Sequence, residues 1–163
     1  MSAIDELLGS AVDYAASFDK GDLPRAPARR LAILACMDSR LDLFALLGLA
    51  EGDAHMLRNA GGLVTDDAIR SLSISQRAMG TREIMLIHHT DCGMLDYDDD
   101  AFKRSIVEET GVMPPWAPES FPDAYEDVRE SVARIRASPF IPHRDDVRGF
   151  VYEVESGALR EVT

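Results

Sequence analysis

Three short and mostly apolar segments stand out in the first part of the chain. They are residues 31–36 (LAILAC), 53–57 (DAHML) and 83–89 (EIMLIHH). Short apolar runs without regular alternation are typical of strands that are buried on both faces of a parallel sheet. We therefore predict a β-strand at each of these places.

Helical patterns lie before and between these strands. Residues 66–79 follow Thr65, whose hydroxyl can cap a helix, and residues 41–48 (LDLFALLG) end at a glycine. Residues 3–18 place apolar side chains at steps of three and four, which predicts an amphipathic helix that needs a surface to cover. The alternation of strands and helices predicts an α/β fold, a central and mostly parallel sheet flanked by helices.

The second half of the chain has a weaker pattern. Residues 100–110 and 123–137 are predicted to be helices, and residues 148–162 are predicted to form a hairpin of two strands around the dipeptide SG. Residues 96–100 (DYDDD) and the proline-bearing residues 112–122 have the composition of exposed loops. These elements extend the same α/β fold to the last residues.

Composition and charge narrow the classes of function. A chain of 163 residues is the size of one domain, which we expect to span residues 1–163. Its net charge of -12 repels nucleic acid and anionic membranes, so small molecules and protein partners remain. The sequence lacks a secretory signal and a membrane span, and we expect a cytoplasmic protein. In that reducing compartment its two cysteines favour metal binding or catalysis over a structural disulfide.

Both cysteines lie where predicted strands end. Cys36 closes the first strand, and Cys92 follows shortly after His89, which closes the third. The carboxyl ends of parallel strands meet at one edge of a sheet, so these three side chains can converge. Two thiolates and one imidazole are donors that zinc prefers, and three protein ligands leave a fourth position open, as in catalytic sites. A closed structural zinc site needs a fourth ligand, and the sequence has no third cysteine.

Two charged residues follow Cys36. In a tight turn after the strand, the carboxylate of Asp38 can face the open position while the guanidinium of Arg40 holds it through a charge-assisted hydrogen bond. Held in this way, Asp38 can accept a hydrogen bond from zinc-bound hydroxide. In the alternative arrangement Asp38 is itself a zinc ligand and switches the site off.

The motifs that carry these residues resemble those of the β-class carbonic anhydrases. CMDSR (36–40) is similar to the CxDxR motif of that family, HTDC (89–92) to its HxxC motif, and RNAGG (58–62) to its third signature. The short chain, HHTDCGM and GTREI are similar to a compact bacterial branch that includes mycobacterial carbonic anhydrases. The resemblance runs from about residue 29 to residue 95, and we expect it to continue to the end.

The resemblance implies the reversible hydration of carbon dioxide to bicarbonate and a proton by zinc-bound hydroxide. It implies one zinc ion per chain, bound by Cys36, His89 and Cys92, with Asp38 and Arg40 as a catalytic dyad that gates the fourth position. It further implies a homodimer or a tetramer of dimers, in which the N-terminal helix packs on the partner subunit. Because two thiolates cancel the charge of the ion, we expect activity to rise into mildly alkaline pH.

Other functions use the same residues. Relatives of this family hydrolyse carbonyl sulfide or carbon disulfide, and a site closed by Asp38 would make a non-catalytic zinc protein. A thiol redox protein would need the CxxC spacing, which is absent from the sequence.

Three neighbouring residues are expected to have plainer roles. His88 departs from the glycine that many family members carry, and only His89 has the HxxC spacing, so we expect His88 to be a core or interface residue. Asp91 is expected in a turn facing solvent, with a contact to the site as the alternative. Arg58 is expected to form a salt bridge.

Overall fold

A five-stranded sheet organises the computed structural model, which describes residues 2–163. The strands are β1 Leu31–Cys36, β2 Ala54–Asn59, β3 Glu83–His89, β4 Val147–Tyr152 and β5 Leu159–Val162. The helices are α1 Ala3–Ala16, α2 Leu43–Leu47, α3 Asp66–Met79, α4 Asp99–Thr110 and α5 Ala124–Ala137, and short 3₁₀ turns lie at Ala60–Gly62 and Gly93–Leu95. The predicted α/β fold is therefore confirmed.

The sheet is parallel except at one edge. Its strand order is β2-β1-β3-β4-β5, and only the pairing of β5 with β4 is antiparallel. The bounds predicted for β1, β3 and α3 match those observed. Strand β2 begins and ends later than predicted. Its end is later because Arg58 and Asn59 continue the pairing with β1, opposite Ala35 and Cys36. The carboxyl ends of β1 and β3 are neighbours, as the site requires.

Apolar side chains fill both faces of the sheet. On one face lie the buried side chains of Ile33 and Ile87. On the other face Leu34 and Leu86 pack with Leu72 of α3, and Val128 of α5 covers Gly149, the β4 partner of Leu86. Strands β1 and β3 are thus covered on both sides, which explains why their sequences show no alternation of polar and apolar residues.

Helix α4 begins inside a segment that we expected to be a loop. The side chain of Asp98 accepts a hydrogen bond from the Ala101 N–H, and Asp99 and Asp100 lie in the first turn of the helix. Acidic side chains stabilise this end because it carries the positive pole of the helix dipole. The prediction of a loop over residues 96–100 is therefore wrong for Asp99 and Asp100, which start α4.

Helix α1 lies against very little of its own chain. None of residues 3–16 is buried, and the apolar side chains Ile4, Leu7, Leu8 and Val12 are between 59% and 69% exposed. Tyr14 donates a hydrogen bond to the Glu51 carboxylate, and Lys20, just beyond the helix, forms an ion pair with it. Among residues 2–163 no helix combines the length and apolar character that crossing a membrane requires.

Candidate metal centre

The ends of β1 and β3 bring three metal-binding side chains together. Within residues 2–163, Cys36, His89 and Cys92 form a buried group whose donor atoms all lie within 4.8 Å of one another. The two Sγ atoms are 4.0 Å apart. Two thiolates bound to one tetrahedral zinc ion lie about 3.8 Å apart, given Zn–S bonds of about 2.3 Å. The spacing of the two sulfur atoms therefore suits a zinc ion.

The imidazole of His89 is oriented for coordination through Nε2. Its Nδ1 donates a hydrogen bond to the Thr90 carbonyl, 2.8 Å away, so the proton resides on Nδ1. Nε2 is buried and has no hydrogen-bond partner among the described residues. A backbone carbonyl that fixes the tautomer in this way is usual for histidine ligands. The free lone pair on Nε2 completes a donor set that fits zinc.

The two thiols are electrostatically coupled. A hydrogen bond from Cys92 lowers the pKa of Cys36 to about 4, and the same interaction raises the pKa of Cys92. Burial lowers the pKa of His89, but Cys36, the Thr90 carbonyl and Asp38 together raise it above its usual value. A cation that binds both side chains as thiolates displaces their protons.

Asp38 lies at the edge of this group and is paired with Arg40. Its two carboxylate oxygens accept hydrogen bonds from Arg40 Nε at 3.0 Å and from a terminal guanidinium nitrogen at 2.7 Å, and Oδ1 also accepts from the Arg40 main-chain N–H at 2.9 Å. These hydrogen bonds hold the pKa of Asp38 well below its usual range. Oδ2 lies 3.7 Å from His89 Nε2. The structure thus has Asp38 beside the three donors and engaged by Arg40.

Arg58 holds the turn that carries Asp38. Its guanidinium donates hydrogen bonds to the carbonyls of Cys36, Asp38 and Leu41, at 2.9, 2.6 and 3.2 Å. The expectation of a salt bridge for Arg58 is wrong, because its hydrogen bonds go to main-chain acceptors. The position of Arg58 in the RNAGG motif, at the end of the strand beside β1, was the sequence signal that could have indicated this role.

The glycines of RNAGG allow close approach to β1. Gly62 has a φ of +73°, and a β-carbon at this position would lie 2.8 Å from the Cys36 nitrogen and 3.2 Å from the Ile87 carbonyl oxygen. Only glycine fits here without displacing main-chain atoms. The motif therefore packs directly against the strand end that positions Cys36.

His88 belongs to the core, as expected. Its ring is fully buried, Nε2 donates to the Asp127 carboxylate at 2.5 Å, and the ring lies 5.5 Å from that of Phe121. Successive side chains of a strand point to opposite faces, so His88 is directed away from the metal-binding group.

We expect Arg58→Lys to weaken zinc binding about tenfold and to lower the free energy of unfolding by about 1–3 kcal/mol. A lysine ammonium cannot reproduce the planar fork that reaches three carbonyls at once. Competition with a chelator and urea unfolding measure the two effects. Arg70→Lys is the matched control, because Arg70 is exposed and, among residues 2–163, pairs only with Asp67. Equal behaviour of the two variants would contradict this role of Arg58.

Comparisons with known proteins agree with this geometry. A family model described as carbonic anhydrase matches residues 31–125. Beta-carbonic anhydrase 1 of Mycobacterium tuberculosis is 58% identical over 163 residues, covering 100% of this chain and 99% of the relative. A carbon disulfide hydrolase of Acidithiobacillus thiooxidans is 39% identical over 153 residues, covering 81% and 76%. The crystal structure of a carbonic anhydrase from Streptococcus mutans superposes with a TM-score of 0.92 at 43% identity, covering 100% of this chain and 99% of that one.

The parallel sheet and the group of two cysteines and one histidine define an α/β protein of the zinc-enzyme class. More specifically, the chain belongs to the carbonic anhydrase family, in its β class, and is similar to the mycobacterial members. The resemblance drawn from the three sequence motifs is thereby confirmed.

Proposed function

We propose that this chain catalyses the zinc-dependent, reversible hydration of carbon dioxide to bicarbonate and a proton. The observation that carries the proposal is the convergence of Cys36, His89 and Cys92 beside a carboxylate, Asp38, held by Arg40. The family membership and the relatives named carbonic anhydrase support the same reaction.

Cys36, His89 and Cys92 are the proposed metal ligands. Bound zinc lowers the pKa of a coordinated water from about 16 toward 7, which makes a nucleophile available near neutral pH. The chain supplies a rigid donor set, since Cys36 and His89 end adjacent strands and the His89 ring is fixed by its hydrogen bond to Thr90.

Asp38 is the proposed acceptor that orients the attacking water. Because Arg40 fixes both carboxylate oxygens, Asp38 stays ionised and keeps one orientation. The remaining lone pairs of the carboxylate can accept a hydrogen bond, which aims the nucleophile at the carbon of carbon dioxide. If Asp38 left Arg40, its carboxylate could serve as the fourth ligand of a bound zinc ion, which is the predicted closed form of the site.

The test is the initial rate of carbon dioxide hydration by stopped flow between pH 6 and 9, on protein of known zinc content. We expect a rate that rises with pH and that falls about 10- to 100-fold in Asp38→Asn. Asp96→Asn, which removes an exposed charge from the loop after β3, is the control and should keep the wild-type rate. A rate already at its maximum near pH 6.5, or an unaffected Asp38→Asn variant, would contradict these roles.

Carbon disulfide is the second candidate substrate. The proposal rests on the relatives named carbon disulfide hydrolase, which match the chain at lower identity than those named carbonic anhydrase. The same zinc-loaded protein should be assayed for sulfide release from carbon disulfide and from carbonyl sulfide. Sulfide release without carbon dioxide hydration would reassign the substrate, and neither activity at full zinc loading would indicate a closed, non-catalytic site.

We also propose that the chain forms a homodimer, or a tetramer of dimers, through α1. The chain exposes 10136 Å², whereas a compact folded chain of 17.9 kDa exposes roughly 8,000 Å². This excess of accessible surface, to which the uncovered apolar face of α1 contributes, is of the size that a subunit interface buries. Within such an assembly residues 1–163 act as one domain, and the unoxidised thiols that the site needs favour the cytoplasm.

We expect the double substitution Leu7→Glu and Leu8→Glu to reduce the molar mass in solution to that of one chain. Two charges on the apolar face of α1 cannot be buried against a partner without a large desolvation penalty. Sedimentation equilibrium measures the mass, and Ser10→Glu, on an exposed polar position of the same helix, is the control. An assembly that survives the double substitution would exclude α1 from the interface.

A further inference from the structure

Arg40 is held by two carboxylates rather than one. One terminal nitrogen of its guanidinium donates to Asp91 Oδ2 at 2.6 Å, and the other donates both to the Asp91 carbonyl at 2.8 Å and to Asp38 Oδ2 at 2.7 Å. The guanidinium therefore bridges the turn after β1 and the turn after β3. No motif that defines the family includes Asp91 among its named positions, since the residue occupies a variable place of HxxC.

The backbone of Asp91 is shaped for this contact. Its φ is +52°, in the left-handed region that residues other than glycine seldom adopt. Aspartate and asparagine tolerate this conformation better than most residues do. At Asp91 it presents both the carbonyl and the side chain to the same guanidinium.

We propose that Asp91 is a positioning residue that keeps Arg40 engaged with Asp38, and so prevents Asp38 from occupying the fourth position of the metal. The inference rests on the proposed metal centre and extends it by one residue. With Asp91 in place the guanidinium is anchored from two sides. Without the Asp91 carboxylate the guanidinium keeps only the Asp91 main-chain carbonyl on that side, and Asp38 leaves it more often.

The size of the effect follows from exposure. The side chains of Asp91 and Arg40 are 69% and 45% exposed, and exposed ion pairs contribute modestly. We therefore expect Asp91 to shift the balance between the paired and the metal-bound arrangement of Asp38 about two- to fivefold.

The experiment is a titration of the cobalt(II)-substituted protein with thiocyanate, followed by the visible absorption of the metal. Thiocyanate needs the fourth position, so its apparent affinity falls when Asp38 competes for it. We expect Asp91→Asn to weaken thiocyanate binding by at most about fivefold, the full factor appearing only where the metal-bound arrangement of Asp38 predominates, and this weakening to disappear when Asp91→Asn is combined with Asp38→Ala. Asp96→Asn is the charge-matched control and should show no weakening.

The sign of the change separates this inference from simple electrostatics. Removing a negative charge near the metal attracts an anion, so a charge effect alone makes thiocyanate bind more tightly in Asp91→Asn. Unchanged or tighter binding would overturn the proposal, and so would a weakening that persists without Asp38. A wild-type chain that fails to bind cobalt would refute the metal centre and this inference together. A cobalt-loaded chain that behaves as expected but does not hydrate carbon dioxide would refute the proposed function alone.

Discussion

Replacing His89 by alanine is expected to weaken zinc binding more than about 100-fold, whereas the same replacement at His88 leaves zinc bound and lowers stability instead. His89 presents an unpaired buried Nε2 to the two thiols, so its loss removes a direct donor. Loss of a residue that merely supports a ligand weakens metal binding about 10- to 100-fold, so loss of a donor should exceed about 100-fold. Zinc affinity is measured by competition with a chelator.

The His88→Ala variant is the internal control for this result. Its side chain is buried against Phe121 and bonded to Asp127, so the substitution leaves a cavity and a carboxylate without its donor. We expect the free energy of unfolding, measured in urea with excess chelator, to fall by about 2–4 kcal/mol. Zinc loss in His88→Ala with zinc retained in His89→Ala would reverse the assignment of the two rings.

Gly62→Ala is expected to damage both the fold and the metal centre. The added methyl would lie 2.8 Å from the Cys36 nitrogen and 3.0 Å from the Ala35 carbonyl carbon, so the end of β1 must move. The left-handed backbone adds about 1–2 kcal/mol of strain. We expect a total loss of at least about 3 kcal/mol in the free energy of unfolding, and zinc binding weakened about tenfold.

Gly111→Ala separates strain from steric conflict. Gly111 ends α4 with a φ of +75°, close to the +73° of Gly62, but among the described residues no atom lies within 4 Å of its virtual β-carbon. Unfolding of this variant should reveal the strain alone, about 1–2 kcal/mol, with unchanged zinc affinity. Equal losses in the free energy of unfolding of Gly62→Ala and Gly111→Ala would show that β1 does not limit the packing of RNAGG.

The sequence was sufficient for the elements that carry the donors. Strands β1 and β3 are covered on both faces, and their uninterrupted apolar runs predicted them residue for residue. Because the strands are parallel neighbours, the convergence of Cys36, His89 and Cys92 followed from where the runs end. Long-range geometry was here encoded in a local pattern.

The contacts of long polar side chains with other segments could not be predicted from the local sequence. Arg58 and Arg40 reach acceptors on other segments, and nothing in the local sequence distinguishes a guanidinium that binds carbonyls from one that forms an ion pair. The acidic residues before α4 are equally compatible with a loop and a helix N-terminus, since solvation and capping favour the same side chains. Asp91 was expected in a turn, and its backbone confirms this. Its ion pair with Arg40, however, depends on how the turn after β1 and the turn after β3 lie relative to each other.

The spacing of the thiols along the chain has a consequence for stability. Cys36 and Cys92 are separated by 56 positions, yet their sulfur atoms are 4.0 Å apart. An ion held between them acts as a reversible cross-link that closes a long loop of the chain, in the way that a disulfide does but without oxidation. A ligand that binds the folded chain alone stabilises it in proportion to the logarithm of its free concentration. The amount of available zinc is therefore expected to set the free energy of unfolding of the protein as well as its activity.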